Sequence, residues 1–135
     1  AAPPLPPLHH RVLGTLAWDE HSEGWTGAIP GSSAELYVGG GSAHEYPSEA
    51  LLALLEAPFL EFKQVSRAAL AYLMANADLA SWNAQAQAFR IEGLEAFAHY
   101  LSEGTYTVTF TNGEVEAIWK VHFKGLQPCG WGVDD

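Results

Sequence analysis

The sequence predicts a single α+β domain, an antiparallel sheet in the order β-β-β-helices-β-β with its helices packed on one face. Two observations favour this class. Segments in which apolar and polar residues alternate lie in two groups, one near each end of the chain, and residues with helical periodicity lie between them. Strands and helices that are segregated along a chain are typical of α+β domains, in which the sheet is antiparallel.

The chain is long enough for one domain with a buried core. Its 135 residues are 48% hydrophobic and 16% charged, which is typical of a globular chain. We predict that residues 11–135 form this domain. Residues 1–10 (AAPPLPPLHH) include four prolines, which favour an extended conformation. We therefore predict a flexible Pro-rich N-terminal arm over residues 1–10.

Three short strands are predicted in the first group. Alternation starts after Arg11 and runs over residues 12–18, and it resumes at residues 25–29 beyond the polar turn DEHSEG. A third strand is expected around residues 35–38, after a turn that contains Pro-Gly-Ser-Ser. Strands joined by such short turns favour an antiparallel meander.

Helical spacing follows the three glycines at 39–41. Pro47 suits the first helical position, and Pro58 is expected to end or kink this helix. A second helix is predicted over residues 59–76. A third is predicted over residues 92–102, because apolar residues there fall at the spacing of one helical face: Leu94, Phe97, Ala98 and Leu101.

The last predicted element is a β-hairpin. Apolar residues alternate with threonines over residues 105–111, and alternation resumes over residues 114–123. The dipeptide Asn112-Gly113 separates the two segments and is typical of a type I′ hairpin turn.

Charge is the most informative feature of the composition. The chain carries 16 acidic and 6 basic side chains, a net charge of −10. Residues 1–62 hold eight carboxylates and one cation, a net charge of −7. A chain this acidic is not expected to bind nucleic acid, because phosphate contacts need clustered Lys and Arg. The charge favours an acidic face that meets a basic partner, although acidic surfaces also serve solubility alone.

No pattern of catalytic or metal-ligating residues stands out. The chain lacks a G-x-S-x-G motif and a P-loop lysine, and its histidines lack the i, i+4 spacing of a helical zinc site. The single cysteine, Cys129, forms no internal disulfide. We expect no enzymatic activity, no metal and no cofactor. No apolar stretch reaches the roughly 20 residues of a membrane span, so we expect a cytoplasmic protein that does not enter a membrane.

Both ends of the chain resemble a known group of proteins. The opening pattern L-G-x-L-x-x-D, at residues 13–19, is followed by W-x-G at residues 25–27, and a hairpin with an Asn-Gly turn closes at Gly125. This combination resembles uncharacterised bacterial domains of unknown function that often lie in toxin–immunity loci. The segment EAIWK at residues 116–120 departs from the usual Gly-His step of the second hairpin strand. The resemblance implies an immunity protein.

Three hypotheses follow for function. In the first, an immunity protein, monomeric or weakly dimeric, neutralises a basic cognate toxin by acidic-surface docking. Its expected interface consists of an acidic turn, a second acidic patch and two aromatic anchors: Asp19, Glu20 and Glu23; Glu45 and Glu49; and Trp25 and Tyr46. The second is a non-catalytic ligand-binding or scaffold module. The third is a small hydrolase that uses His21, His44 or His99 with nearby carboxylates.

Overall fold

The computed structural model describes residues 2–135 as a single α+β domain. Four strands precede two helices and four strands follow them. The strands are β1 (Leu8–His10), β2 (Gly14–Asp19), β3 (Gly24–Ala28), β4 (Glu35–Gly39), β5 (Phe89–Phe97), β6 (Thr105–Asn112), β7 (Val115–Lys124) and β8 (Gln127–Asp134). The helices are α1 (Glu49–Leu60) and α2 (Phe62–Asn76), and three short 3₁₀ helices span Ala80–Trp82, Ala86–Ala88 and Ala98–Glu103.

All eight strands form one sheet whose spatial order is the order of the sequence. Every neighbouring pair is antiparallel except β4 and β5, which run parallel with Leu36 opposite Leu94. Parallel neighbours need a long crossover connection, and α1 and α2 lie within it. The predicted sheet was mostly correct in type, but it lacked three of the eight strands.

The first of these is β1, so regular structure begins at Leu8 and not at Arg11. Leu8 pairs with Leu16 of β2, and the backbone N–H of Leu5 donates to Ala43 O at 2.7 Å. Leu5 and Leu8 also pack against the core. The end of the segment predicted as an arm is therefore part of the sheet.

The helix predicted over residues 92–102 is wrong. This segment is the second half of β5 followed by the 3₁₀ helix Ala98–Glu103. Leu94 and Ala96 alternate into the core, and Gly93 allows β4 to come close, since a Cβ there would lie 2.9 Å from Glu35 O. A short apolar run fits both the helical period and the strand period, and pairing with β4 and β6 makes this segment a strand.

Strand β8 was also missed. Pro128, Gly130 and Gly132 gave it the composition of an irregular tail. It lies at the edge of the sheet beside β7, where a proline without an N–H is tolerated.

The core combines side chains of the sheet with side chains of both helices. Leu51 and Leu55 of α1 and Leu73 of α2 are fully buried, together with Trp25 and Trp119 from the sheet. Ser48 caps α1, its side chain accepting from Leu51 N at 3.2 Å. Pro58 does not end α1 at once, because the helix continues to Leu60 before α2 begins.

The C-terminal hairpin is confirmed, with its turn displaced by one residue. Asn112 pairs with Val115, so the two turn residues are Gly113 and Glu114. Only Gly113 has a positive φ, of 56°. A type I′ turn needs a positive φ at both central residues, whereas glycine at the first central position is typical of type II′.

Within residues 2–135, no helix combines the length and apolarity that a membrane crossing requires.

Candidate functional site

A row of side chains crosses the sheet on the face that points away from the core. Tyr37, Glu95, Thr107, His122 and Gly130 lie opposite one another on β4 through β8. The residues that follow or precede them along these strands are buried in the core, among them Val38, Leu94, Val108 and Val121. Only the sheet register brings this row together, because its members are spread over almost a hundred positions.

A second row of residues runs beside the first on the same face. Gly93, Thr109, Lys120 and Gly132 lie opposite one another on β5 through β8. Two hollows, of about 340 and 380 Å³, share Glu95, Phe97 and Lys120 in their linings. We call the two hollows together the sheet cleft. Their size is in the range of small-molecule and side-chain pockets.

Aromatic side chains form one wall of the sheet cleft. The rings of Tyr37 and Phe97 lie 5.6 Å apart, and Phe97 lies 5.6 Å from His99. His99 lies 4.2 Å from Tyr100, which lines the first hollow from the 3₁₀ helix Ala98–Glu103. Tyr100 is 48% exposed, so this end of the wall is open to a partner.

Glu95 carries the unusual electrostatics of the site. Burial raises the pKa of Glu95 above its ordinary value; Lys120 opposes this shift and Asp134 adds to it. The Lys120 ammonium is bound by Asp134, with Nζ 2.6 Å from Oδ2. Among residues 2–135, no group donates a hydrogen bond to the Glu95 carboxylate or forms an ion pair with it. The cleft therefore holds a half-buried carboxylate that has lost part of its hydration, and no donor among the described residues takes the place of that water.

His122 is the second titratable group of the row. Its Nδ1 lies 2.9 Å from Thr107 Oγ1. Burial lowers the pKa of His122, Lys120 lowers it further, and Asp134 opposes them, so the imidazole is neutral at neutral pH. Cys129, an exposed free thiol, lines the same hollow.

The predicted acidic turn is exposed at Glu20 and Glu23 and half-buried at Asp19, and hydrogen bonds fix its shape. Asp19 Oδ1 accepts from His21 N at 3.1 Å and Oδ2 from Ser22 Oγ at 2.7 Å, and the Ser22 bond is the main cause that lowers the pKa of Asp19. Glu20 Oε2 accepts from Trp18 Nε1 at 2.7 Å. Glu23 adopts a positive φ of 54°.

Tyr37 connects this turn with the sheet cleft. Its hydroxyl donates to Ser22 O at 2.9 Å, and Ser22 itself lines the second hollow. Burial raises the pKa of Tyr37, and the charges of Glu95, Glu23 and Asp19 raise it further. Carboxylates of the turn and of the cleft therefore act on the same phenol, and the two features form one acidic surface.

The other predicted interface residues lie elsewhere. Trp25 is fully buried opposite Val38, and its Nε1 donates to Ser42 O at 3.1 Å, which corrects its prediction as an interface anchor. Tyr46 is half-buried against Trp25, and its hydroxyl donates to Pro6 O at 2.9 Å. Glu45 is exposed in the turn before α1. Glu49 lines a separate hollow of about 510 Å³, together with Arg11 and Glu56.

The histidines of the hydrolase hypothesis are all exposed: His21 in the acidic turn, His44 in the turn before α1, and His99 in the 3₁₀ helix Ala98–Glu103. Within residues 2–135, no three His, Cys, Asp or Glu side chains lie close enough to hold a metal ion.

Sequence reasoning missed Glu95, Thr107, Lys120 and His122 as a site. Alternation placed the last three at polar positions of the hairpin, whereas helical spacing assigned Glu95 to a helix. Their proximity depends on the pairing of β5 with β6, for which the sequence holds no direct signal, and on the register of the β6–β7 hairpin, whose turn lies one residue beyond the predicted position.

Comparison of the chain with protein-family models, with curated proteins and with solved structures finds no significant match.

Proposed function

We propose that this chain is a non-enzymatic binding protein, an immunity protein that neutralises a basic toxin by docking its acidic surface on it. Complementary docking breaks no bond and needs no cofactor. The protein acts in the cytoplasm as a monomer or weak dimer, and α1 and α2 cover one face of the sheet so that the opposite face is free for the partner.

One observation carries the proposal: the acidic turn and the sheet cleft form a continuous acidic surface. The turn contributes Asp19, Glu20 and Glu23, and the cleft contributes Glu92, Glu95 and Asp134. Among residues 2–135, Lys120 is the only Lys or Arg that lines the two hollows, and it is paired with Asp134. Such a surface attracts basic proteins and repels acidic ones.

The turn is suited to a role in association rate. Hydrogen bonds hold the carboxylates of Asp19 and Glu20 in one shape before binding, so docking costs little ordering of these two side chains. Charges of this kind raise association rates above the roughly 10⁵–10⁶ M⁻¹s⁻¹ of unsteered pairs. Salt weakens the effect, because the Debye length is about 10 Å at 0.1 M.

The test uses association kinetics with the product of the neighbouring gene, at two salt concentrations. The variant Asp19→Asn, Glu20→Gln, Glu23→Gln removes three charges and retains acceptor oxygens for His21 N, Ser22 Oγ and Trp18 Nε1. The matched control Glu61→Gln, Asp78→Asn, Glu114→Gln removes three exposed carboxylates from other turns.

We expect the turn variant to associate roughly 3- to 10-fold more slowly than the wild type at low salt, and the control to change much less. The difference should shrink at high salt. Equal association rates for turn variant and control would remove the acidic turn from the interface. Absence of binding to the neighbouring product would remove the immunity proposal.

A second candidate is a ligand-binding module without a toxin partner. The sheet cleft favours it, because the hollows have the size of a small-ligand pocket and contain both aromatic and ionisable groups. A small molecule that binds the cleft with micromolar affinity, in a protein that does not bind the neighbouring product, would favour this candidate over the first.

A further inference from the structure

We infer that the sheet cleft seats one arginine side chain of the basic partner, with its guanidinium on Glu95 and its plane against the aromatic wall. This inference rests on the proposed function for the identity of the partner. The chemistry of the cleft itself is testable without that partner.

The charges of the side chains that line the cleft favour a cationic ligand. The side chains that line the two hollows include four carboxylates and one ammonium: Glu92, Glu95, Glu103 and Asp134, and Lys120. The ammonium is already bound by Asp134 at 2.6 Å. The charge left over is negative, and Glu95 is the half-buried member of the set that sits at the junction of both hollows.

The Glu95 carboxylate lacks hydrogen-bond donors among the described residues. It has lost part of its water through burial, which raises its pKa, and among the described residues it has no hydrogen-bond or ion-pair partner. A guanidinium brings two parallel N–H donors that match the two oxygens of a carboxylate. Binding would replace the water that folding removed.

The aromatic wall favours arginine over lysine. Phe97, His99 and Tyr100 follow one another with ring centroids 5.6 and 4.2 Å apart, and Phe97 and Tyr100 line the same hollow as Glu95. A planar guanidinium stacks on aromatic faces, whereas an ammonium acts as a point charge with a larger hydration shell.

The cleft has room for this side chain. The first hollow measures about 340 Å³. Gly130 lies at its floor, where an added Cβ would meet only the His122 ring, at 3.8 Å. A larger side chain at position 130 would therefore fill the hollow without displacing the backbone, which supplies a steric block.

The experiment is an NMR titration of the ¹⁵N-labelled full chain with N-acetyl-argininamide, which carries the guanidinium as its only charge. N-acetyl-citrullinamide is the neutral isostere and serves as the control ligand. We expect saturable shifts at the amides of Glu95, Thr107 and His122, with a Kd on the order of 1 mM for so small a ligand. The citrulline compound should shift these amides at least tenfold less.

Three variants test the placement. Glu95→Gln and Gly130→Leu should each weaken binding of the arginine compound at least tenfold, and Glu61→Gln, an exposed carboxylate on another turn, should leave it unchanged. Dispersed amide spectra of each variant report that the fold is retained. In complexes with the neighbouring product, Glu95→Gln should raise the dissociation rate at least tenfold, whereas the turn variant slows association.

The inference is overturned by any of three results: no saturable shift in the cleft, equal binding of the citrulline compound, or full affinity in Glu95→Gln. Binding of N-acetyl-lysinamide as tight as that of the blocked arginine would also overturn it, because the cleft would then not distinguish a guanidinium from an ammonium. Arginine-dependent shifts in a protein that does not bind the neighbouring product would support the cleft and overturn the toxin assignment, so the two failures are distinguishable.

Discussion

The side-chain amide of Asn112 forms two hydrogen bonds with the backbone of Gln85. Its Oδ1 accepts from Gln85 N at 3.2 Å, and its Nδ2 donates to Gln85 O at 2.8 Å. Asn112 is 2% exposed at the end of β6, and Gln85 precedes the 3₁₀ helix Ala86–Ala88, which leads into β5. The two bonds hold the segment before β5 against the end of β6 in the hairpin.

Asn112→Ala should destabilise the fold by about 1–3 kcal/mol, because Gln85 N loses its acceptor and Gln85 O keeps only its bond from Ala88 N, at 3.0 Å. Gln85→Ala is the matched control, since it removes an exposed side chain and keeps the backbone bonds. Urea unfolding of the three proteins measures the difference. A loss of stability in Gln85→Ala as large as that in Asn112→Ala would contradict the prediction.

Gly113→Val should destabilise the hairpin by about 1–2 kcal/mol, because Gly113 has a φ of 56°, which a β-branched residue strongly disfavours. Glu114→Val changes the other turn residue, whose φ is not positive, and should cost much less. Thermal unfolding followed by circular dichroism compares them. Equal midpoints for the two variants would mean that the turn does not restrict Gly113.

Gly41→Ala should be much more destabilising than Gly31→Ala, although both glycines have a positive φ, of 71° and 76°. A Cβ at Gly31 meets nothing within 4 Å, so only backbone strain of about 1–2 kcal/mol is expected. At Gly41 the Cβ would collide with the carbonyl oxygen of Glu45, which adds overpacking for a total of about 2–5 kcal/mol. Denaturant unfolding of the two variants measures the difference in stability. Similar losses of stability would show that the turn before α1 can shift to accommodate the added Cβ.

Glu95→Gln should raise the melting temperature near neutral pH. The folded-state pKa of Glu95 is raised above its ordinary value of 4.5, so its contribution to stability is present below that value and is lost as the pH rises through the folded-state pKa. Glutamine does not ionise and suffers no such loss. The gain over the wild type should therefore vanish at a pH of about 3.5.

Glu61→Gln is the control for this comparison, as an exposed carboxylate. His122, whose pKa is lowered, reduces stability as the pH falls, but it does so equally in all three proteins, and the difference between them reports on Glu95. A Glu95→Gln protein that melts below the wild type near neutral pH would mean that the ionised carboxylate stabilises the fold. A residue that lowers stability yet occupies the centre of the cleft is typical of a functional position.

Local chemistry was enough to predict the parts of the fold that depend on near neighbours. Alternation on both sides of an Asn-Gly dipeptide predicted the hairpin of β6 and β7, and the two meander turns predicted β2, β3 and β4. Helix α1 was predicted from its leucine stripe and begins after its Ser48 cap. In each case the partners that satisfy the backbone lie within a few residues of the segment or across one short turn.

The sequence by itself determined the α+β class, the hairpin, the α1–α2 region and an acidic surface that includes an exposed turn at residues 19–23. The tertiary structure alone decided that residues 89–97 are a strand, because only pairing with β4 and β6 distinguishes this strand from a helix. It also decided that Trp25 lies in the core and that Glu95 lies beside Thr107 and His122. The register between strands sets these neighbours. Register depends on the packing of the whole sheet, and a local sequence pattern does not specify it.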